Sequence, residues 1–108
     1  MSKSIGSLEE IVLLIVIVLG DNAYAVTIVE EYEKQFGKSI TIPAIHTVLR
    51  RLEGKGFIKS RVGGATNLRG GRSKRFYSIT KVGYETAREL NEQRTTLWNM
   101  APKISFNS

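Results

Sequence analysis

The chain has no cysteine, one histidine, one tryptophan and two prolines in 108 residues. Without cysteine there is no disulfide and no thiolate metal site. With His46 alone, and no thiol partner, neither a zinc cluster nor a nucleophile–base pair of the usual kind can be assembled. The expectation is therefore a protein that is not an enzyme and uses no cofactor. The longest apolar run, Ile11 to Leu19, has nine residues, far short of the roughly 18 that a membrane span requires. Ala23-Tyr24-Ala25 imitates a leader cleavage site, but Glu9 and Glu10 stand where a leader carries positive charge, so a cytoplasmic protein with no membrane partner is expected. The length suits one domain.

What the chain has in excess is positive charge in one place. The net charge is +6 and the pI about 9.8. Between Arg50 and Lys81 stand ten basic residues and one acidic residue, Glu53, a balance of +9. The six basic and nine acidic residues elsewhere leave −3. A concentrated cationic segment points to a binding surface for a polyanion rather than to general solubility.

The hydrophobic pattern predicts four helices and one hairpin. Ser7-Leu8-Glu9-Glu10 reads as a capping box for the first helix, which Gly20 stops. Its body, IVLLIVIVL, is apolar on every side, and a domain this small covers only part of it. A second helix follows an Asp21-Asn22 cap. It faces Ala25, Ile28, Val29, Tyr32 and Phe36 inward and Glu30, Glu31 and Glu33 outward. A third begins near Ile42 or Pro43, with Ile45, Val48, Leu49 and Leu52 inside and His46, Thr47, Arg50 and Arg51 outside. Phe57 to Val62 and Ser73 to Ile79 read as strands around a glycine-rich tip that is expected to be disordered without a ligand. Thr80 caps a fourth helix that runs to about Met100. The fold class is mainly α with a small β-hairpin. Residues 1–79 form a winged helix-turn-helix domain, 80–101 a C-terminal dimerisation helix, and 102–108 a flexible tail. A homodimer through the first and fourth helices would cover the surplus apolar surface.

Four motifs in order resemble the PadR family of bacterial transcriptional regulators, over roughly Leu8 to Leu97. They are Leu8-Glu9-Glu10-Ile11-Val12-Leu13-Leu14; Ala23-Tyr24-Ala25-Val26-Thr27-Ile28; Leu49-Arg50-Arg51-Leu52-Glu53 with Gly56-Phe57-Ile58; and Gly71-Arg72-Ser73-Lys74-Arg75-Phe76-Tyr77-Ser78-Ile79-Thr80 with Gly83. Pro43-Ala44-Ile45-His46 stands where the family usually has Gly-Thr-Leu-Tyr, so His46 replaces a tyrosine that typically touches the DNA backbone. The resemblance implies a homodimeric repressor on a pseudo-palindromic operator in double-stranded DNA. It also implies release by a small aromatic ligand held near an aromatic side chain of the last helix, for which Trp98 is the candidate.

The candidate DNA contacts are Tyr24, Thr41, Ala44, His46, Thr47, Arg50, Arg51, Arg61, Arg72, Lys74 and Arg75. Arginines on the third helix can pair with guanine or clamp phosphate, and those of the hairpin suit phosphate. The plainer reading of the helix residues is a solvated face. That of the hairpin cations is an edge strand protected from aggregation, that of Tyr24 a half-buried packing residue, and that of Trp98 a dimer-core anchor. The alternative function is a winged-helix protein–protein interaction module without operator binding.

Overall fold

The computed structural model describes residues 5–63 and 74–107. Three helices, α1 (Ser7–Leu19), α2 (Ala25–Phe36) and α3 (Ile42–Gly54), precede an antiparallel pair, β1 (Ile58–Gly63) and β2 (Lys74–Ile79), and a last helix, α4 (Lys81–Met100). The element types and order match the sequence expectation. The hairpin register pairs Ile58 with Ile79, Ser60 with Tyr77, Arg61 with Phe76 and Val62 with Arg75. The expected glycine-rich tip, with Arg72, lies outside the described residues.

Two helix caps differ from the expectation. The N-cap of α1 is Gly6, not Ser7. Glu9 thus becomes the third helical residue, and its carboxylate accepts from the Gly6 N–H at 2.8 Å. The box closes one residue earlier than expected, and Glu10 turns inward, where it is buried. The cap of α2 is Tyr24, not Asp21-Asn22. Gly20–Asn22 instead form a single 3-10 turn, and the Thr27 hydroxyl accepts from the Tyr24 N–H at 3.0 Å. Helix α3 starts at Ile42, as expected; Thr41 caps it, its hydroxyl accepting from the Ala44 N–H at 3.2 Å.

The core gathers Val12, Leu13 and Val16 of α1, Ile28 of α2, and Ile45, Leu49 and Leu52 of α3. Phe57, Ile58, Tyr77 and Ala87 close it from the hairpin and α4. Each such large side chain contributes about 1.5–3 kcal/mol by leaving water. The Tyr77 N–H donates to the Ala23 carbonyl at 2.8 Å, so β2 is stitched to the connection between α1 and α2. Gly56, at φ +80°, makes the turn from α3 into β1.

The root of α4 is fixed at that same turn. The Thr80 N–H donates to the Phe57 carbonyl at 3.1 Å, and the Thr80 hydroxyl donates to the Gly56 carbonyl at 2.7 Å. Gly83 is buried against Phe57: a Cβ there would stand 2.0 Å from the Phe57 carbonyl oxygen. From Asn91 onward α4 is exposed. The projecting helix makes the molecule long, 61 × 38 × 20 Å with a radius of gyration of 16.7 Å, against about 13 Å for a compact domain of this length.

Surplus apolar surface lies where the sequence suggested. Leu14 and Val18 of α1 are exposed, as are Leu97, Trp98 and Met100 of α4. Phe36, expected to face inward, is 46% exposed. It lies at the last turn of α2 and helps line an open apolar trough with Ile11, Leu14, Ile15 and Val18.

Two stability outcomes follow. Gly83→Ala forces the Phe57 backbone and α4 apart, and denaturant unfolding is expected to show a loss of about 1–3 kcal/mol. Glu9 is held below its ordinary pKa of 4.5, first by the Gly6 N–H and then by Lys55, whose Nζ lies 2.8 and 3.0 Å from its two oxygens. A carboxyl depressed in the fold adds stability above its unfolded pKa, and the contribution is lost as pH falls through the folded value. The stability gap between the wild type and Glu9→Gln, measured by denaturation across pH, should therefore be full at neutral pH and close below about pH 4.5.

Candidate nucleic-acid interface

Helix α3 presents its polar side as two flanks. Residues 46, 50 and 53 follow one another at helical spacing on the flank beside the hairpin, where His46, Arg50, Glu53, Arg75 and Tyr77 line a shallow hollow. Arg51 lies on the other flank, where its charge helps hold down the pKa of Glu9. Thr47, between the flanks, is exposed and donates its hydroxyl to the Pro43 carbonyl at 3.1 Å.

A polar relay ties the hairpin to α3. The Ser60 hydroxyl donates to Glu53 at 2.7 Å and accepts from the Arg75 guanidinium at 3.0 Å. Glu53, the single acidic residue of the basic segment, thus fixes the position of β1 and, through it, of Arg75. Tyr77 is held above its ordinary pKa by burial and stays a neutral phenol at neutral pH.

The other face of the hairpin is built differently. In the observed register Arg61 lies opposite Phe76, and Gly63 opposite Lys74. The Arg61 guanidinium sits 5.0 Å from the centre of the Phe76 ring. Phe76 meets Tyr24 edge to face at 5.4 Å and 72°, and the Lys74 ammonium lies 4.3 Å from the centre of the Tyr24 ring. Cation–ring contacts of this kind are worth about 0.5–1 kcal/mol at exposed sites. They hold two cations over aromatic faces and leave their charge accessible.

The candidates therefore fall into two sets around the hairpin. His46, Arg50 and Arg75 share the face toward α3. Tyr24, Arg61 and Lys74 share the face toward the N-terminus of α2. Both neighbours belong to the helix-turn-helix, so the cations line its two sides rather than a single flat surface. Thr41 and Ala44 sit at the start of α3, joined by the capping bond, and Arg72 lies outside the described residues. Sequence reading missed Phe76, Glu53 and Ser60 as parts of the site. Their roles depend on strand register, and the one advance signal was a lone glutamate among ten cations. Trp98, 79% exposed, lines an open hollow with Pro102, Ile104 and Phe106 of the following segment.

Among the described residues no group of three or more metal-binding side chains is found, and no helix is long and apolar enough to cross a membrane. No family model matches the chain, and no curated protein does. Solved structures do. A PadR family transcriptional regulator from Eggerthella lenta DSM 2243 superimposes with a TM-score of 0.65 at 24% identity, over 85% of this chain and 80% of that one. A transcriptional regulator from Clostridium thermocellum gives 0.66 at 22%, over 92% of this chain and 100% of the other. A PadR-like transcriptional regulator from Bacillus cereus ATCC 14579 gives 0.66 at 21%, over 90% and 93%. At these identities the likeness establishes the fold: four helices and a two-stranded hairpin in the arrangement of PadR-like winged-helix regulators.

Proposed function

We propose that this chain is a PadR-like transcriptional regulator that binds double-stranded DNA as a homodimer. In this reading α3 enters the major groove of each half-site, with Arg50 and Arg51 toward base edges or phosphates. Tyr24, Arg61, Lys74, Arg75 and the hairpin segment containing Arg72 contact the backbone. His46, Thr41, Ala44 and Thr47 complete the contact surface at the exposed side and start of α3. Residues 1–79 are the DNA-binding part and 80–101 the dimerisation helix. The observation that carries the reading is the set of cations ordered on both faces of a hairpin beside α3, in a fold shared with regulators of transcription.

The dimer is inferred from apolar surface. Leu14 and Val18 on α1, and Leu97, Trp98 and Met100 on α4, are exposed in the single chain. Joining two copies through these helices would remove that surface from water. A twofold protein suits a pseudo-palindromic operator, and occupancy of such a site near a promoter represses transcription. A small planar aromatic compound stacking on Trp98 at the dimer axis would be the releasing effector.

Three outcomes are expected. In anisotropy titrations with duplex DNA from upstream of its own coding region, binding should weaken steeply with salt, because condensed counterions are released. Arg75→Ala should lower affinity and flatten the salt slope of the dimer by about 2 units, about 1 for each protomer. The absence of binding at low salt would overturn the DNA reading in favour of a winged-helix module that docks a protein. In sedimentation experiments the wild type should run as a dimer, and Leu97→Ser/Trp98→Ser as a folded monomer with DNA affinity reduced at least about 100-fold.

A further inference from the structure

Among the described residues, one ion pair holds the outer part of α4 to the body. Its root is fixed by Thr80 and by the close approach of Gly83 to Phe57. Beyond that, among the described residues, the only ion pair from α4 to another element joins Arg94 to Glu10 of α1. Arg88 pairs within α4, with Glu92. The side chain of Glu10 is 6% exposed and that of Arg94 63% exposed. The contact is an ion pair without hydrogen-bond geometry, and Glu10 Oε1 has no other partner. A glutamate buried at this position is poorly explained by stability alone. An apolar side chain would fill this buried site, at the head of the apolar run that begins at Ile11, without the desolvation cost of a carboxylate.

We propose that Glu10 is a positioning residue. Through Arg94 it sets the direction in which α4 leaves the body, and so the separation of the two α3 helices in the DNA-binding dimer; this rests on the reading given above. Arg94 lies about 16 Å along the helix from Gly83, and Met100 about 25 Å. A swing of about 10° around the root moves Met100 by about 4 Å, more than the 3.4 Å step between bases along one DNA strand. Leu97, Trp98 and Met100, the apolar residues assigned to the dimer contact, lie beyond the latch. Its angle is therefore passed to the partner and on to the spacing of the half-sites. An arginine in the otherwise apolar stripe of α4, and a buried glutamate of α1 that takes no part in the cap formed by Glu9, are then two halves of one device.

The chain lacks cysteine, so Lys59→Cys accepts one spin label per protomer. Lys59 is exposed on β1, the strand that follows α3 and packs on it, so the label-to-label distance across the full-length dimer reports the α3 separation. The wild type should give one narrow distance. Arg94→Met should broaden and displace it and lower stability, since it leaves Glu10 buried and unpaired. Glu10→Met/Arg94→Met should recover the stability but keep the broadened distance. Arg94→Lys should restore the wild-type distance. Affinity for the upstream duplex should fall about tenfold in both Arg94→Met variants, tracking distance and not stability, as when a competent state drops to about a tenth of the population. A double variant with the wild-type distance and wild-type affinity would overturn the latch and leave DNA binding intact. A wild type that gives no distance between protomers and does not bind the duplex would instead remove the dimeric regulator itself.

Discussion

Among the described residues, hydrogen bonds clamp the hairpin to the helices at two points, and the placement of Arg61, Lys74 and Arg75 depends on them. One is the bond from the Tyr77 N–H to the Ala23 carbonyl, which fixes β2 against the start of α2. The other is the Ser60 hydroxyl, held between Glu53 of α3 and Arg75 of β2. An isolated two-stranded ribbon is marginal in water. With Phe57, Ile58 and Tyr77 buried in the helical core, the base of the ribbon is anchored to the helix-turn-helix. Arg61 and Lys74 then stand by the cap of α2, and Arg75 by the exposed side of α3.

Crowding ten basic residues into one segment is unfavourable for the free protein, because like charges repel across a surface. The structure offsets this locally. Glu53 sits inside the cationic group, and Phe76 and Tyr24 offer ring faces to Arg61 and Lys74. The acidic residues are kept elsewhere: Glu30 and Glu33 on the exposed side of α2, Glu9 and Glu10 engaged with Lys55 and Arg94. The resulting charge asymmetry draws a polyanion to the hairpin and α3 rather than to the acidic side of α2. The relay through Ser60 keeps Arg75 oriented before any ligand arrives, which lowers the entropy cost of contact.

The elements themselves were legible in the residues because their signals are local. Thr41 and Thr80 each accept from an amide three residues on, Gly56 turns the chain, and the inward stripe Ile45, Val48, Leu49 and Leu52 is buried as its period requires. The first helix begins at Ser7 as expected, but its cap was misplaced by one residue because Ser7 and Gly6 can both cap a helix. Only the tertiary fit decides, through Lys55 on Glu9 and Arg94 on Glu10. The grouping of the candidate site into two faces was not legible, since it rests on which residue of β1 opposes which of β2, separated by a segment of glycines. The partnership of Glu10 with Arg94, 84 positions apart in the chain, has no local signal at all.

The claim at the centre of this account is that a polyanion contacts both faces of the hairpin and the exposed side of α3, and leaves the acidic side of α2 untouched. An amide-resolved NMR titration of the labelled protein with a short DNA duplex at low salt tests it most directly. The account predicts shift changes clustered at Tyr24, along residues 41–51, and on both strands of the hairpin, while Glu30 and Glu33 stay still. Changes centred on α2, or an unperturbed hairpin at saturating duplex, would contradict it.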